Sequence, residues 1–430
     1  MTKRAIALIA AVAGLGVAGW GQRGGRGPAG PQRAQTPAPL HFEYLGPQPS
    51  GRISAAAGVE GDASTYYLGA ASGGVWKSTD GGHNFEPVFD GQDAMAIGAL
   101  AVAPSDPQTV WAGTGEAWAI RDIDVMGDGV YKSSDGGKTW QHMGLEQTGR
   151  IGRILINPND AGTVYVCALG RTTGPQQERG VYKSTDGGAN WKQVLFVNPD
   201  TGCSGLAMDA HNPNVLLAGT WQVMMKTWGE FSGTWPGYRG TPGSGVYLSK
   251  DAGATWTQVT TAAGMPKPPL GKIDVAIAPS DPQRMYALIQ TADQGSLWRS
   301  EDGGASWSDV NWARDLIGRA GYYIRIAVNP QNEDDVLVTN SGFHRSYNGG
   351  KTFDEPRPRP QPGAPRLDAS CGDCHDIWMD PKIPGRYVLT DDGGASIATG
   401  QEVLAVRIPD GQMYHVATDN RVPYWVYTNR

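Results

Sequence analysis

The sequence predicts an all-β protein, a seven-bladed β-propeller with four antiparallel strands in each blade. A ten-residue box recurs along the chain at intervals of about fifty residues, a period typical of propellers and solenoids. Gly is abundant, with 61 of 430 residues, and charged residues make up only 18%. Such a composition favours short strands joined by tight turns over helices. Two short apolar segments before each box supply two strands, and the box joins a third strand to a fourth, so each unit has four strands.

The box holds a Ser, an Asp, one or two Gly and an aromatic residue, as in YKSTDGGANW (182–191). Its Asp position is occupied in successive units by Asp80, Asp135, Asp186, Asp251, Asp302 and Asn348. Gly permits positive φ in a hairpin, and the carboxylate can accept hydrogen bonds from N–H groups of the turn. We predict a structural role, because six copies cannot all be active sites and Asn348 cannot act as an acid. The aromatic residue is expected to pack between blades.

The remaining elements of each unit follow in order. A first strand such as IGALAVAPSDP (97–107) is rich in Ala and Gly, which suits a crowded central channel. A second strand follows, the third runs into the box, and the fourth leaves from the box aromatic. A seventh unit, 374–401, keeps three strands but has Gly400 at the Asp position. The tail 413–430 is predicted to form two strands of an eighth unit, which either closes the ring beside the first blade or belongs to a longer chain.

The predicted domain organisation has three parts. Residues 1–21 have a basic start and an apolar centre, which indicates a signal peptide cleaved near Gly19 or Gly21, with an uncleaved anchor as the alternative. Residues 22–40 form a disordered Gly/Pro/Arg-rich linker, and 41–430 form the propeller. The mature chain is therefore expected to be secreted or periplasmic and without a stable membrane span. The net charge of −6 argues against nucleic acid as a partner.

Two long connections between second and third strands, 115–128 and 221–243, carry aromatic side chains beside charged ones. This mixture suits stacking on a sugar or capture of a peptide. The candidate ligand-binding residues in them are Glu116, Arg121, Trp221, Lys226, Trp228, Trp235 and Arg239. If the protein is an enzyme, Glu116 and Asp124 are weak catalytic candidates.

The stretch CGDCH (371–375) matches the haem c attachment pattern, but it leads directly into a predicted blade strand. No context for a distal haem ligand is evident, so no cofactor and no metal site are predicted. Asp373, His375 and Asp376 are instead candidates for contact with a polar ligand or a divalent ion near the channel mouth, with a turn-forming role as the favoured alternative. Cys371 and Cys374 are expected to form a small disulfide after export. Whether Cys167 and Cys203 are bonded stays open.

The boxes resemble the Asp-box, or BNR, repeats of bacterial sialidases, xyloglucanase-type glycoside hydrolases, photosystem assembly factors and sortilin. The segments 113–137 and 371–381 are similar to secreted bacterial proteins of the sortilin-like or glycosyl-hydrolase type. The resemblance implies the fold more strongly than the activity. Xyloglucanase-like enzymes carry TDxGG before the third strand of an early blade, whereas this chain has AASGG (70–74), with Ala71 in place of the acid. The RIP stretch of sialidases occurs only at 407–409, late in the chain.

Three functions remain open at this point. The first is recognition of an extracellular polymer, a glycan or a peptide, through long loops on one face. The alternative is a glycoside hydrolase of the Asp-box type, and the third option is a protein-assembly scaffold. A hydrolase requires two carboxyl groups about 5–10 Å apart across a cleft. A binder requires only aromatic and charged groups on one surface.

Overall fold

The computed structural model describes residues 52–117, 126–226, 229–232, 243–322, 324–353, 371–399, 402–406 and 413–417. All of these fall within the compact unit His41–Arg430. The predicted signal peptide and the linker lie outside the described residues, so both stay predictions.

The described strands form seven antiparallel sheets, which are the blades, numbered in chain order. Blade 1 contains β1 (Ile53–Gly58), β2 (Tyr66–Ala70), β3 (Val75–Ser78) and β4 (Glu86–Pro87). Blade 2 contains β5 (Ile97–Ala103), β6 (Asp106–Thr114), β7 (Val130–Ser133) and β8 (Gln141–His142). Blade 3 contains β9 (Ile151–Asn157), β10 (Asp160–Ala168), β11 (Gly180–Ser184) and β12 (Lys192–Leu195).

The remaining blades vary more in strand number. Blade 4 contains β13 (Thr201–Met208), β14 (Leu216–Lys226), β15 (Gly229–Ser232), β16 (Val246–Ser249) and β17 (Thr257–Gln258). Blade 5 contains β18 (Ile273–Ile277), β19 (Met285–Ile289), β20 (Leu297–Ser300) and β21 (Ser308–Asn311). Blade 6 contains β22 (Arg325–Asn329), β23 (Asn332–Thr339) and β24 (Phe343–Ser346). Blade 7 contains β25 (Cys374–Met379), β26 (Arg386–Asp391), β27 (Gly394–Thr399), β28 (Glu402–Val406) and β29 (Met413–Ala417). Short 3-10 helices, η1 (Val259–Thr261) and η2 (Arg314–Leu316), lie in the links after blades 4 and 5.

The first strand of each blade lines the centre of the ring. These strands contact one another in chain order, β1 with β5, then β9, β13, β18, β22 and β25, and β25 returns to β1. The predicted seven-bladed propeller is therefore confirmed. Small residues are required on the inner strands: a Cβ on Gly98 would lie 2.2 Å from the backbone oxygen of Gly115, and one on Gly205 would lie 2.4 Å from Asp274 Oδ1.

The end of the chain departs from the prediction. Residues 402–406 supply a fourth strand to blade 7, and 413–417 pair with them as a fifth strand, Glu402 opposite Ala417 and Val406 opposite Met413. Residues 413–417 therefore extend blade 7 and do not begin an eighth unit as predicted. A hairpin across the short 407–412 connection closes a much smaller loop than a return to blade 1, and so costs less chain entropy.

Blade 7 itself closes the ring, through side chains that reach blade 1. Arg386 donates from Nε to Tyr66 Oη (2.7 Å) and from Nη1 to Asp380 (2.6 Å), and its guanidinium lies 4.5 Å from the centre of the Tyr66 ring. Asp380 also accepts the backbone N–H of Gly61. Trp378 covers Gly58, where a Cβ would lie 2.3 Å from the indole. These buried polar contacts join the first and last blades without a shared strand.

The box of blade 3 shows how the repeated aspartate is used. Ser184 Oγ donates to Asp186 Oδ1 (2.8 Å) and accepts the N–H of Gly188 (2.8 Å). Asn190 donates to Asp186 from its backbone N–H (2.9 Å) and from Nδ2 (2.7 Å). Asn190, by its side chain and then its backbone, and the Ser184 hydroxyl lower the pKa of Asp186 to about 2. The carboxylate closes the turn, and Asn348 makes the same backbone bond to Thr352 in blade 6.

The boxes also connect neighbouring blades. Trp140 donates from Nε1 to Val88 O (2.7 Å) in the preceding blade, and Trp191 does the same to Met143 O (2.7 Å). Lys77 donates to Gly136 O (2.7 Å) of the following box. These bonds link the box of blade 2 to blade 1 and the box of blade 3 to blade 2.

We expect Ser184→Ala to lower the free energy of unfolding by about 1–3 kcal/mol, because the buried N–H of Gly188 loses its acceptor. Thermal unfolding followed by circular dichroism measures the effect. Ser134→Ala, at an exposed position of the blade 2 box, is the matched control and should unfold like the parent. Equal melting of both variants would contradict the structural role of the box.

The boxes also predict a sensitivity to acid. The folded-state pKa is about 2 for Asp80, Asp135, Asp186, Asp251 and Asp302. Since these values lie below the unfolded value of about 3.9, the stabilisation is complete above pH about 4 and is lost as the pH falls towards 2. We expect the melting temperature to fall through that window. The double variant Asp135→Asn/Asp251→Asn should show a shallower fall, because an amide cannot titrate; an unchanged pH profile would exclude these groups as the cause.

Candidate functional site

The second-to-third strand turns and the links between blades meet at one end of the channel, opposite the boxes. We call this end the mouth and define it by Arg52, Glu116, Arg319, Tyr322, Asp373, His375 and Asp392. These residues come from blades 2 and 7 and from the links that precede blades 1, 6 and 7. Charged groups from distant parts of the chain are thereby gathered around Tyr322.

Arg52, immediately before the inner strand of blade 1, connects two other parts of the mouth. Its guanidinium donates to Glu116 Oε2 and to Tyr322 Oη, and lies 5.9 Å from the centre of the Tyr322 ring. Glu116 is 1% exposed, whereas the Arg52 side chain keeps 25% of its surface. Glu116 is therefore a buried partner that holds Arg52, and Arg52 presents the accessible charge.

A second ion pair stands on the other side of Tyr322. Arg319 lies 5.4 Å from the centre of the Tyr322 ring and donates from Nη1 to Asp373 Oδ1 (2.6 Å). Both partners are accessible, Arg319 to 44% and Asp373 to 34%. Asp373 has a φ of 57°, and its N–H donates to Ser341 O (3.0 Å). The stretch CGDCH thus forms a tight turn that delivers a carboxylate to the mouth.

His375 is fully buried at the start of β25 and faces Tyr322 edge-on, with the ring centres 6.2 Å apart. Its Nδ1 lies 2.7 Å from Ile53 O, and because a carbonyl only accepts, Nδ1 carries the hydrogen. Its Nε2 lies 3.1 Å from Asp392 Oδ1. Burial raises the pKa of the neighbouring Asp391, against the opposing effects of the Gly393 N–H and of His375.

Trp221 is 0% exposed and packs with Leu169, Val223 and Met225. The amine of Lys272 lies 5.3 Å from the centre of the indole and donates to Tyr322 O (3.4 Å). Trp221 therefore offers no surface for stacking on a ligand; it supports the mouth from beneath, through Lys272. The prediction that 221–243 is all connection is also wrong, because β14 runs to Lys226 and pairs with β15.

Below the mouth, four charged side chains on inner strands meet in the channel. Arg153 donates to Asp376 (2.9 Å), and Arg325 lies 3.6 Å from Asp274 and 3.8 Å from Asp376. Arg325 also donates to Gly152 O (2.6 Å) and Ser204 O (3.2 Å). Blades 3, 4, 5, 6 and 7 are thus joined across the axis by one polar cluster.

Both cysteine pairs are bonded in the structure, Cys167 to Cys203 and Cys371 to Cys374. The first joins blade 3 to blade 4, and the second closes the CGDCH turn. The two thiols that haem c attachment would consume are bonded to each other. Within the described residues, no group of three or more His, Cys, Asp or Glu side chains is placed to hold a metal ion.

Of the candidate residues from the sequence, the structure brings Glu116, Asp373 and His375 to the mouth and places Trp221 beneath it. Lys226 ends β14. The others lie outside the described residues: Arg121, Asp124, Trp228, Trp235 and Arg239.

Sequence reasoning missed Arg52, Lys272, Arg319, Tyr322 and Asp392. A signal for two of them was present: Gly, then Arg or Lys, then Ile recurs at 51–53, 149–151 and 271–273, where an inner strand begins. The repeat period therefore places one cation at the mouth end of three alternate blades.

Seven blades in a closed ring, with hairpins closed by a box carboxylate, identify the fold. The chain is an Asp-box propeller. No protein-family profile matches the chain. It is 27% identical over 254 residues to a probable oligoxyloglucan-reducing end-specific xyloglucanase of Neosartorya fischeri, covering 52% of this chain and 28% of that protein. It is 26% identical over 330 residues to a xyloglucanase of a Paenibacillus species, covering 68% of this chain and 30% of that protein.

The propeller thus matches about a third of the length of these relatives, to which it is distantly related. Among solved structures, YCF48 bound to D1 peptide superposes with a TM-score of 0.50 and 13% identity, covering 84% of this chain and 98% of that one. This similarity shows the shared fold. None of the helices among the described residues is long and apolar enough to cross a membrane.

Proposed function

We propose that the propeller is an exported protein that recognises an extracellular polymer, a glycan or a peptide, at its mouth. The observation that carries the proposal is the set of ion pairs around Tyr322, Arg52 with Glu116 and Arg319 with Asp373. In each pair the arginine keeps a quarter or more of its surface accessible. A rim of paired charges supplies donors and acceptors for hydroxyl or amide groups without a large net charge.

Two further observations support export and a polymeric ligand. The two disulfides suit an oxidising compartment, in agreement with the signal peptide predicted from the sequence. The relatives from Neosartorya fischeri and Paenibacillus are named for action on xyloglucan, a glycan, and the propeller YCF48 was solved with a peptide.

A glycan and peptide array on the purified chain identifies the ligand, and two variants then locate it. We expect Arg319→Ala and Arg52→Ala each to weaken binding of the array hit about tenfold, which corresponds to about 1.4 kcal/mol. Lys138→Ala, an exposed cation of the blade 2 box, is the control and should bind like the parent. Parent-like affinity of both mouth variants, with unchanged melting, would place the ligand elsewhere.

Glycoside hydrolysis is the second candidate, and one observation favours it. TDDGG (390–394) stands directly before the third strand of blade 7, whereas xyloglucanase-like enzymes carry TDxGG before the third strand of an early blade. Burial raises the pKa of Asp391, as a general acid requires. Release of reducing ends from xyloglucan, abolished by Asp391→Asn while binding persists, would establish this activity. Binding without turnover would exclude it for that substrate.

A further inference from the structure

Two cavities lie on the box face, in consecutive seams between blades. The first, groove A, lies between blades 3 and 4 and has a volume of 330 Å³. The second, groove B, lies between blades 4 and 5 and has a volume of 460 Å³. Both grooves lie at the end of the propeller opposite the mouth, because the boxes join third and fourth strands at that end of each blade.

The two grooves are built from equivalent positions of the repeat. One wall is a box and the fourth strand after it, and the other wall is the Gly-Ala turn of the next box. The matching pairs, groove A first, are Asp186 and Asp251, Asn190 and Thr255, Lys192 and Thr257, Val194 and Val259, and 253–254 and 304–305. A feature that recurs at the same positions follows from the repeat itself.

The grooves differ at one of the equivalent positions. In groove A it is occupied by Lys183, whose amine donates to Ala252 O (2.9 Å) across the seam. In groove B the same position is occupied by the apolar Leu248.

We propose that grooves A and B are binding sites for neutral sugar units of a glycan, separate from the mouth. The walls carry charged side chains, Lys192 and Asp186 in groove A and Lys250 and Asp251 in groove B. Beside them lie uncharged polar groups that suit hydroxyls: Asn190 in groove A, and Thr255, Thr257 and Gln258 in groove B. Trp191 borders groove A, but its indole packs on the blade 2 side, where Nε1 donates to Met143 O. Volumes of this size accommodate one or two sugar rings.

The box carboxylate adds a permanent acceptor for hydroxyl groups. Because the pKa of Asp186 and of Asp251 is about 2, both carboxylates stay ionised above pH about 4. A carboxylate that already accepts bonds within its own turn is held in a fixed position, so it adds little ordering cost when a ligand binds.

An extended peptide fits the grooves less well. A peptide that adds to a sheet needs a long free edge. The outer strands here are short: β12 has four residues and β17 only two. Binding in the grooves therefore relies on side chains, which suits a ligand with many hydroxyl groups.

Repetition gives the grooves a further property. Two weak sites on one rigid ring can engage the same polysaccharide, and the second contact then forms at a high effective concentration. We expect each groove to bind a short oligosaccharide weakly and the pair to bind a polymer more tightly.

The test uses the full chain with xyloglucan and its neutral oligosaccharides as probes and polygalacturonate as the charged comparison. Lys192→Trp/Thr257→Trp fills both grooves, and we expect at least about a tenfold loss of affinity for soluble xyloglucan. Ser308→Trp, at the exposed equivalent position in blade 5 and outside both grooves, is the matched control and should bind like the parent. Lys192→Ala/Thr257→Ala gives a second, smaller perturbation if the tryptophan variant fails to fold.

The outcomes separate the grooves from the mouth. Loss of xyloglucan binding in the groove variants, with residual binding in Arg319→Ala, supports the proposal. Parent-like affinity of both groove variants overturns it, whatever the mouth variants do. Failure of the parent to bind either neutral probe at millimolar concentration, or binding of polygalacturonate alone, also overturns it.

Discussion

Arg386→Met is expected to lower the free energy of unfolding by about 3–5 kcal/mol, because it leaves the carboxylate of Asp380 buried without its charge partner. The two side chains are 1% and 0% exposed, and their contact is 2.6 Å long. Arg386 also holds Tyr66 of blade 1, so its removal weakens the closure of the ring. Urea denaturation followed by tryptophan fluorescence measures the loss.

Arg284→Met is the matched control for this prediction. Arg284 forms comparable contacts with Glu301 and Asp334, but these carboxylates are 47% and 48% exposed. Exposed ion pairs contribute at most about 1 kcal/mol, so this variant should unfold near the parent midpoint. If both variants unfold alike, the seam between blades 7 and 1 is not the critical closure.

Arg325→Met should have a similarly large effect, a loss of about 3–5 kcal/mol, at the centre of the ring. Arg325 is 2% exposed and lies between two carboxylates, Asp274 and Asp376, which are 2% and 5% exposed. Its removal also leaves two backbone carbonyls, of Gly152 and Ser204, without this donor.

Arg325→Lys separates the two contributions, because it keeps the positive charge but not the fork of donors. We expect it to fall between the parent and Arg325→Met in its urea midpoint. A free energy of unfolding for Arg325→Met within about 1 kcal/mol of the parent value would show that Arg153 alone neutralises the two carboxylates.

The fold was largely predictable because its determinants are local and repeated. The box sets the third and fourth strands, the Ala/Gly-rich segments set the inner strands, and the period sets the blade number. The alternation of buried Trp221, Val223 and Met225 marks the extended β14 in the same way, at a spacing of two residues. Treating the long connection as a loop concealed that pattern.

The mouth was less predictable, because its contacts join residues far apart in the chain. Arg52 meets Tyr322, and His375 meets Ile53. Nothing in the local sequence of Tyr322 indicates that two arginines will flank its ring. Only the closure of the ring, which brings blades 6, 7 and 1 together, creates the site.

Hydrogen–deuterium exchange of the chain with and without its array ligand tests the central claim most directly, since it maps the bound surface without substitutions. The account predicts slower exchange at 319–322, 371–377 and 390–394, the segments that form the mouth. Unchanged exchange in all three segments at saturating ligand would contradict recognition at the mouth.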